Sequence, residues 1–197
     1  MKKWLFISAL ILVWKFCSPA GEVSLGPGVL AAAPPVQSAI ATPVSYQLKG
    51  YAVTELAAFQ LQAKVLSKTN YYFDRESDIS PTDLALGWGR MSDEALLAQF
   101  SISQSGRFYR WRVKEYPIPH DEIVSSSANM HLIPANDSVA KVIKKIRKGD
   151  LISLSGSLVE AVSVNDDWRW RSSLTRGDAG AGACELIWVE TIQILSP

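Results

Sequence analysis

Hydrophobic and polar positions alternate along most of this chain, and the alternation predicts a protein built mainly of strands. In FQLQAKVLS (59–67), Phe59, Leu61, Ala63 and Val65 take one side and Gln60, Gln62 and Lys64 the other. That is the period-two signature of a half-buried strand, here extending toward NYYF. FSISQ (100–104) and RFYRWRV (107–113) alternate on either side of Gly106, which predicts a hairpin. DLISLSGSLVEAV (150–162) sets Ile152, Leu154, Gly156 and Leu158 on one side and is expected to bend at Gly156. WRWRSS (168–173), a glycine-rich loop TRGDAGAG (175–182) and a closing strand CELIWVETIQIL (184–195) complete the set.

Helical periodicity is clearest after residue 137. Val139, Val142, Ile143 and Ile146 recur at helix spacing, with Lys141, Lys144, Lys145 and Lys148 on the other face. Asn136 or Asp137 can cap this helix, and Gly149 ends it. Ser80, Pro81 and Asp83 have helix-start chemistry and predict a short helix stopped where Gly87 and Gly89 bracket Trp88. A second short helix is expected after Ser92 through DEALLAQ. KEYPIPHDEIVSSSANMHLIPAND (114–137) reads as the longest irregular loop, and a loop of that length in a compact domain is usually disordered or functional.

Strands, then a helix, a strand opening at KGD, a hairpin and a last strand is the chain order of a five-stranded OB barrel. KGDLISLSGSLVEAV followed by ELIWVETIQIL resembles the C-terminal half of single-strand-binding proteins and related OB domains. Gly149, Gly156, Leu158 and Ile192 to Leu195 carry the resemblance. It implies a mainly β, OB-like barrel with an amphipathic helix before its fourth strand, spanning 46–197. The long loop before that helix and the short helices near 81–99 are additions to a minimal OB domain.

The beginning of the chain changes the picture of compartment. MKKWLFISALILVWKFCSPA has Lys2 and Lys3, an apolar run from Trp4 to Trp14, and small residues at Ser18 and Ala20, as a secretory signal peptide does. The run is about half of the roughly 20 residues a membrane span needs, so membrane attachment is expected only if the leader stays uncleaved. Residues 21–45, rich in Ala, Pro, Gly and Ser, read as a flexible lead. Removing residues 1–20 takes away Lys2, Lys3 and Lys15 and no acid, which turns a net charge of +1 into about −2. Such a balance disfavours nucleic acid, which attracts clearly basic domains. A periplasmic or secreted location is expected. Cys184 is left without a second cysteine, so no disulfide within the chain can staple the fold.

Candidate chemistry lies first in the two aromatic–arginine ribbons. Arg110, Trp111 and Arg112 belong to one, Trp168, Arg169, Trp170 and Arg171 to the other, and Arg176 lies in the loop beyond. If the arginines line one groove, guanidinium forks can hold an anion and an aromatic can stack on a ring. If the aromatics instead pack inward, the arginines are simply the wet face of each strand. The glycines at 177, 180 and 182 let backbone amides approach a ligand, but the phosphate-loop spacing with Lys-Ser or Lys-Thr is absent. His120 and His131 lie in the same long loop, where a metal pair is conceivable, but HExxH and a Cys-His cluster are absent, so no metal or other cofactor is expected. The leading expectation is an exported binding or assembly module for an anionic or envelope ligand. The alternatives are a hydrolase using His131, His120 or Cys184, and a structural envelope component that meets another protein.

Overall fold

The computed structural model describes residues 21–175 and 184–195. Its strands in chain order are β1 (Val36–Ser38), β2 (Ser45–Leu48), β3 (Tyr51–Asn70), β4 (Thr82–Gly87), β5 (Phe100–Ser105), β6 (Phe108–Val113), β7 (Ser127–Pro134), β8 (Leu151–Ser163), β9 (Arg169–Arg171) and β10 (Glu185–Ile194). Among the described residues three α-helices accompany them, α1 (Glu94–Leu97), α2 (His120–Ser125) and α3 (Asp137–Lys145). The protein is mainly β. Among the described residues no helix is long and apolar enough to cross a membrane.

Five strands close a ring in the order β3, β4, β7, β10, β8 and back to β3. Every contact in it is antiparallel except β7 with β10, which is parallel. The alternation seen in the sequence explains the filling. Phe59, Leu61, Ala63 and Val65 of β3 meet Leu84, Leu86, Met130, Leu132, Leu154, Ile187 and Val189 in one buried cluster. Val139, Ile143 and Ile146, from α3 and the residue that ends it, join that cluster. Asn136 caps α3 as expected, accepting from the backbone N–H of Ser138 and of Val139. The helix lies between the third and fourth strands of the ring.

Two further clusters cover the outside of the ring. Ile133, Val159, Ala161, Leu186 and Trp188 pack with Trp168 and Trp170 on one flank. On the other, Leu66, Ala85, Met91, Ile118 and Ile123 lie under the β5–β6 hairpin through Phe100, Ile102, Tyr109 and Trp111. The hairpin turn is Gly106-Arg107, with φ of 56° and 68°. Both residues are left-handed, as a two-residue hairpin turn requires, and arginine is an unusual choice there.

Three expectations differ from the structure. SPTD does not start a helix: Thr82–Gly87 is strand β4, buried at every position and paired on both sides. Ladder pairing and burial outweigh a local capping signal. The long stretch 114–137 is not irregular, because it contains α2 and the ring strand β7. The segment 21–45, expected to be flexible, lies along the domain. Val23 donates to the Lys148 carbonyl at 2.9 Å, and Leu30 and Ala31 both donate to Ser92 Oγ. Glu94 accepts from Leu25, Gly26, Ser24 and Lys64, and β1 pairs with β3. The sequence shows few apolar anchors here because the ties run through backbone N–H groups.

That clasp should open in acid. Burial pushes the Glu94 carboxyl up, but the Leu25 N–H, Lys64 ammonium and Ser24 hydroxyl outweigh it and hold the group at about 2 against an ordinary 4.5. A lowered carboxylate contributes stability that is complete above its unfolded value and is lost as pH falls through the folded one. The protection factors of the Leu25 and Gly26 amides, taken against the intrinsic exchange rate at each pH, are therefore expected to stay high above about pH 4.5 and to fall as pH drops toward 2. Equal protection at pH 5 and pH 2 would show that Glu94 does not hold the lead.

Candidate functional site

The outer faces of β4, β7 and β10 carry a polar row between the two covering clusters. Register explains it. Asp83 is the antiparallel partner of His131, and Leu186 is the parallel partner of His131. Paired residues share a face, as do residues two apart, so Asp83, Asn129, His131, Leu186 and the position of Cys184 all face the same way. In β7 this row interleaves with Ala128, Met130 and Leu132, which point into the ring.

Arg107 closes over the row from the hairpin turn. Its Nε and Nη2 donate to the two carboxylate oxygens of Asp74 at 3.0 and 2.7 Å. Its Nη1 donates to Asp83 Oδ1 at 2.8 Å and to the Ser80 carbonyl at 2.9 Å. The guanidinium lies 3.9 Å from the centre of the Tyr71 ring and 5.8 Å from that of Trp170. Asp83 is 0% exposed and the Arg107 side chain 13%, so contacts to one buried and one half-buried carboxylate make up for the lost solvation of this cation. The Arg107 hydrogen bond holds the Asp74 carboxyl below its usual range.

His131 is 3% exposed and its ring lies 4.8 Å from that of Trp170. Its Nδ1 is 2.9 Å from Asp83 Oδ1, although the approach is not aligned as a hydrogen bond. Asn129 steadies the row: its amide donates to the Arg107 carbonyl at 3.0 Å and to Asp83 Oδ2 at 3.4 Å, and its oxygen accepts from Gln104. Cys184 adjoins Asn129, with Sγ 4.0 Å from the Arg107 carbonyl, and burial pushes its thiol up to about 11. Glu76, Arg107, Phe108, His131, Trp170, Arg171 and Cys184 line a cavity of about 180 Å³.

The ribbon arginines do not gather in one groove. Arg169 and Arg171 both donate to Glu160 Oε1 across the β8–β9 pair. Arg110 donates to Ser105 Oγ and Arg112 is exposed, both on the outer face of the separate β5–β6 hairpin. Trp111, Trp168 and Trp170 pack against the two covering clusters, so their arginine neighbours are the wet faces of these strands. Trp170 and Arg171 do reach the cavity. Arg176 lies outside the described residues, as do residues 1–20.

The two histidines belong to different clusters. His120 packs on Trp111 and Tyr116 and lies 3.3 Å from Asp121, while His131 sits with Asp83 and Trp170. They do not form a metal pair. Sequence reasoning missed Asp83, read as a first-turn acid, and Arg107, read as one more ribbon residue. The signal was present in SANMHLIP, whose alternation marks a strand with Asn129 and His131 at positions that a covered sheet normally gives to apolar side chains. The chain matches no protein-family model, no curated protein and no solved structure.

Proposed function

We propose that this protein is an exported OB-like binding module whose ligand carries a flat ring and an anionic group, bound in the cavity at His131 and Trp170. The ring order supports the OB-like part. Numbered within the ring, the strands run 1-2-3-5-4 and back to 1, with strands 3 and 5 parallel and a helix between 3 and 4. In such domains the face of strands 2 and 3 and the loops joining strands 1–2 and 4–5 take the ligand. The observation that carries the reading is that this cavity has that position. Glu76 lies between strands 1 and 2, Trp170 and Arg171 between 4 and 5, and His131 on strand 3.

The chemistry of the lining sets the ligand class. Trp170 and the partly exposed Phe108 offer ring faces. Arg107 is engaged by Asp74 and Asp83, so among the described residues of the lining Arg171 is the cation that can exchange its partner for an anion. Its bond to Glu160 is the longer of two at 3.3 Å, and Arg169 keeps Glu160 paired when Arg171 leaves. The compartment comes from the leader at residues 1–20.

Phenyl phosphate and benzoate test this against their halves, phenol and inorganic phosphate, with the Trp170 indole N–H resonance as the reporter. Both complete ligands are expected to shift it more strongly than either half. Arg171→Gln should weaken phenyl phosphate by on the order of tenfold and leave phenol unchanged, as loss of one charge-assisted contact does. Equal responses to phenol and phenyl phosphate, or none at Trp170, would remove the reading.

A further inference from the structure

We infer that Cys184 is a nucleophile for acyl transfer and His131 the base that takes its proton, an activity at the same cavity and resting on the binding reading above. Cys184 and His131 line one space of about 180 Å³, and the strand register explains why. His131 is level with Leu186 on the adjacent parallel strand, and Cys184 is two residues before Leu186 on the same face. With strands about 4.8 Å apart and a rise of about 3.3 Å per residue, such diagonal neighbours have their Cα atoms roughly 8 Å apart, a gap that a long side chain such as imidazole spans in part.

His131 is built as a base would be. Asp83 Oδ1 stands 2.9 Å from Nδ1 and favours the proton there, which leaves Nε2 to accept. Nδ1 makes no aligned hydrogen bond at rest, a looseness common before substrate tightens such contacts. Trp170 covers the ring and Arg107 Nη1 holds the same Asp83 oxygen that faces the imidazole, so His131 is bounded by neighbours that are themselves held. Asp83 and Arg107 are positioning residues in this arrangement; Cys184 and His131 meet the reacting atoms.

Burial keeps the thiol protonated at neutral pH, its ionisation lying at about 11. A preformed thiolate, on which redox exchange depends, is therefore not what this site offers. The attack has to be coupled to proton removal. The Sγ–H proton moves to Nε2 as an S–C bond forms to the acyl carbon, and the carbonyl electron pair shifts to its oxygen. Collapse breaks the bond to the leaving amine or alcohol, which takes the proton from Nε2. Water then attacks the thioester carbon, gives one proton to Nε2, and releases the acid and the Cys184 thiol.

The probe is 4-nitrophenyl acetate, offered to the full chain near neutral pH. The expected product is one acetyl group on Cys184 by peptide mass spectrometry, formed together with 4-nitrophenolate and absent from Cys184→Ser. His131→Gln should slow acylation by on the order of a hundredfold or more. Because that variant can fail to fold, the intact protein supplies a second readout. Acylation assisted by a base levels off well below the ionisation of the thiol itself, whereas an unassisted thiol gains tenfold per pH unit up to about 11. No acetylation, acetyl groups on other residues, an unchanged rate in folded His131→Gln or a rate that keeps climbing with pH would each overturn the inference. Phenyl phosphate binding to Cys184→Ser reports on the binding reading independently, so the two can fail separately.

Discussion

Arg107→Met is expected to destabilise the protein by about 3–5 kcal/mol, the range seen when one partner of a buried ion pair is removed. Methionine keeps much of the length and apolar bulk of the arginine stem, so the change tests the guanidinium. Without it, Asp83 stays at 0% exposure with only the offset His131 Nδ1 and the long Asn129 contact beside it. Asp74 also loses the hydrogen bond that lowers its pKa, so part of the acid stability of the protein goes with it. A lowered carboxylate stabilises above its unfolded value and loses that contribution as pH falls through the folded one. The wild type is therefore expected to lose stability below about pH 4, and the variant to lose less there. For a chain of this size the thermal midpoint should fall by on the order of 10 °C. Asp83→Asn combined with Arg107→Met should cost less than the sum of the single changes, since the double variant buries no unpaired charge. A midpoint that moves by only a degree or two in Arg107→Met would mean that Asp83 is reached by water and that the row is not sealed.

The same residue shows where reading the chain succeeds and where it stops. Period two and helical spacing are local, and they carried the β5–β6 hairpin, β8, β10 and α3 to within a few residues, but only the latter part of β3, which already begins at Tyr51. They also set Tyr109 with Trp111, and Trp168 with Trp170, on one face of each strand; those faces pack, while Phe108 is exposed on the face of Arg110 and Arg112. What local pattern does not contain is which strands become neighbours. Asp83 has a helix-start context in the sequence and a ladder partner, His131, that is 48 residues away in the chain. Arg107 looked like one of several ribbon arginines until the left-handed turn aimed it at Asp74 and Asp83 rather than at solvent. His131 and Cys184 were each visible as reactive residue types, and β7 beside β10 is what brings them to one cavity. The misreading of 114–137 as a loop had the same origin, because Asn129 and His131 made a covered strand look solvated. Polar residues at alternate positions of a strand are the trace that a buried polar site leaves in a sequence.

Gly156→Ala should damage the fold by a different route, through the backbone. A Cβ at this position would lie 1.9 Å from the Trp188 carbonyl oxygen and 3.1 Å from the Glu190 backbone nitrogen. Both are backbone atoms of β10, so no side chain can rotate away. On its other edge Gly156 pairs with Phe59 of β3, which keeps β8 from retreating. The close approach sits where β10 shifts register between Val189 and Thr191, and the missing side chain on β8 is what lets the bulged strand lean in. Adding the methyl forces β10 outward or breaks the local ladder, at a cost above about 3 kcal/mol, beyond ordinary overpacking. Because β10 begins beside Cys184 and pairs with β7 at His131, its displacement should also separate thiol from imidazole. Acetylation of Cys184 is then expected to fall further than the loss of folded protein accounts for, measured on the fraction that remains native by its unfolding transition. If Gly156→Ala instead unfolds within a degree or two of the wild type, the ring tolerates a looser β8–β10 seam than the geometry implies, and the placement of Cys184 depends on the cavity lining rather than on the register of β10.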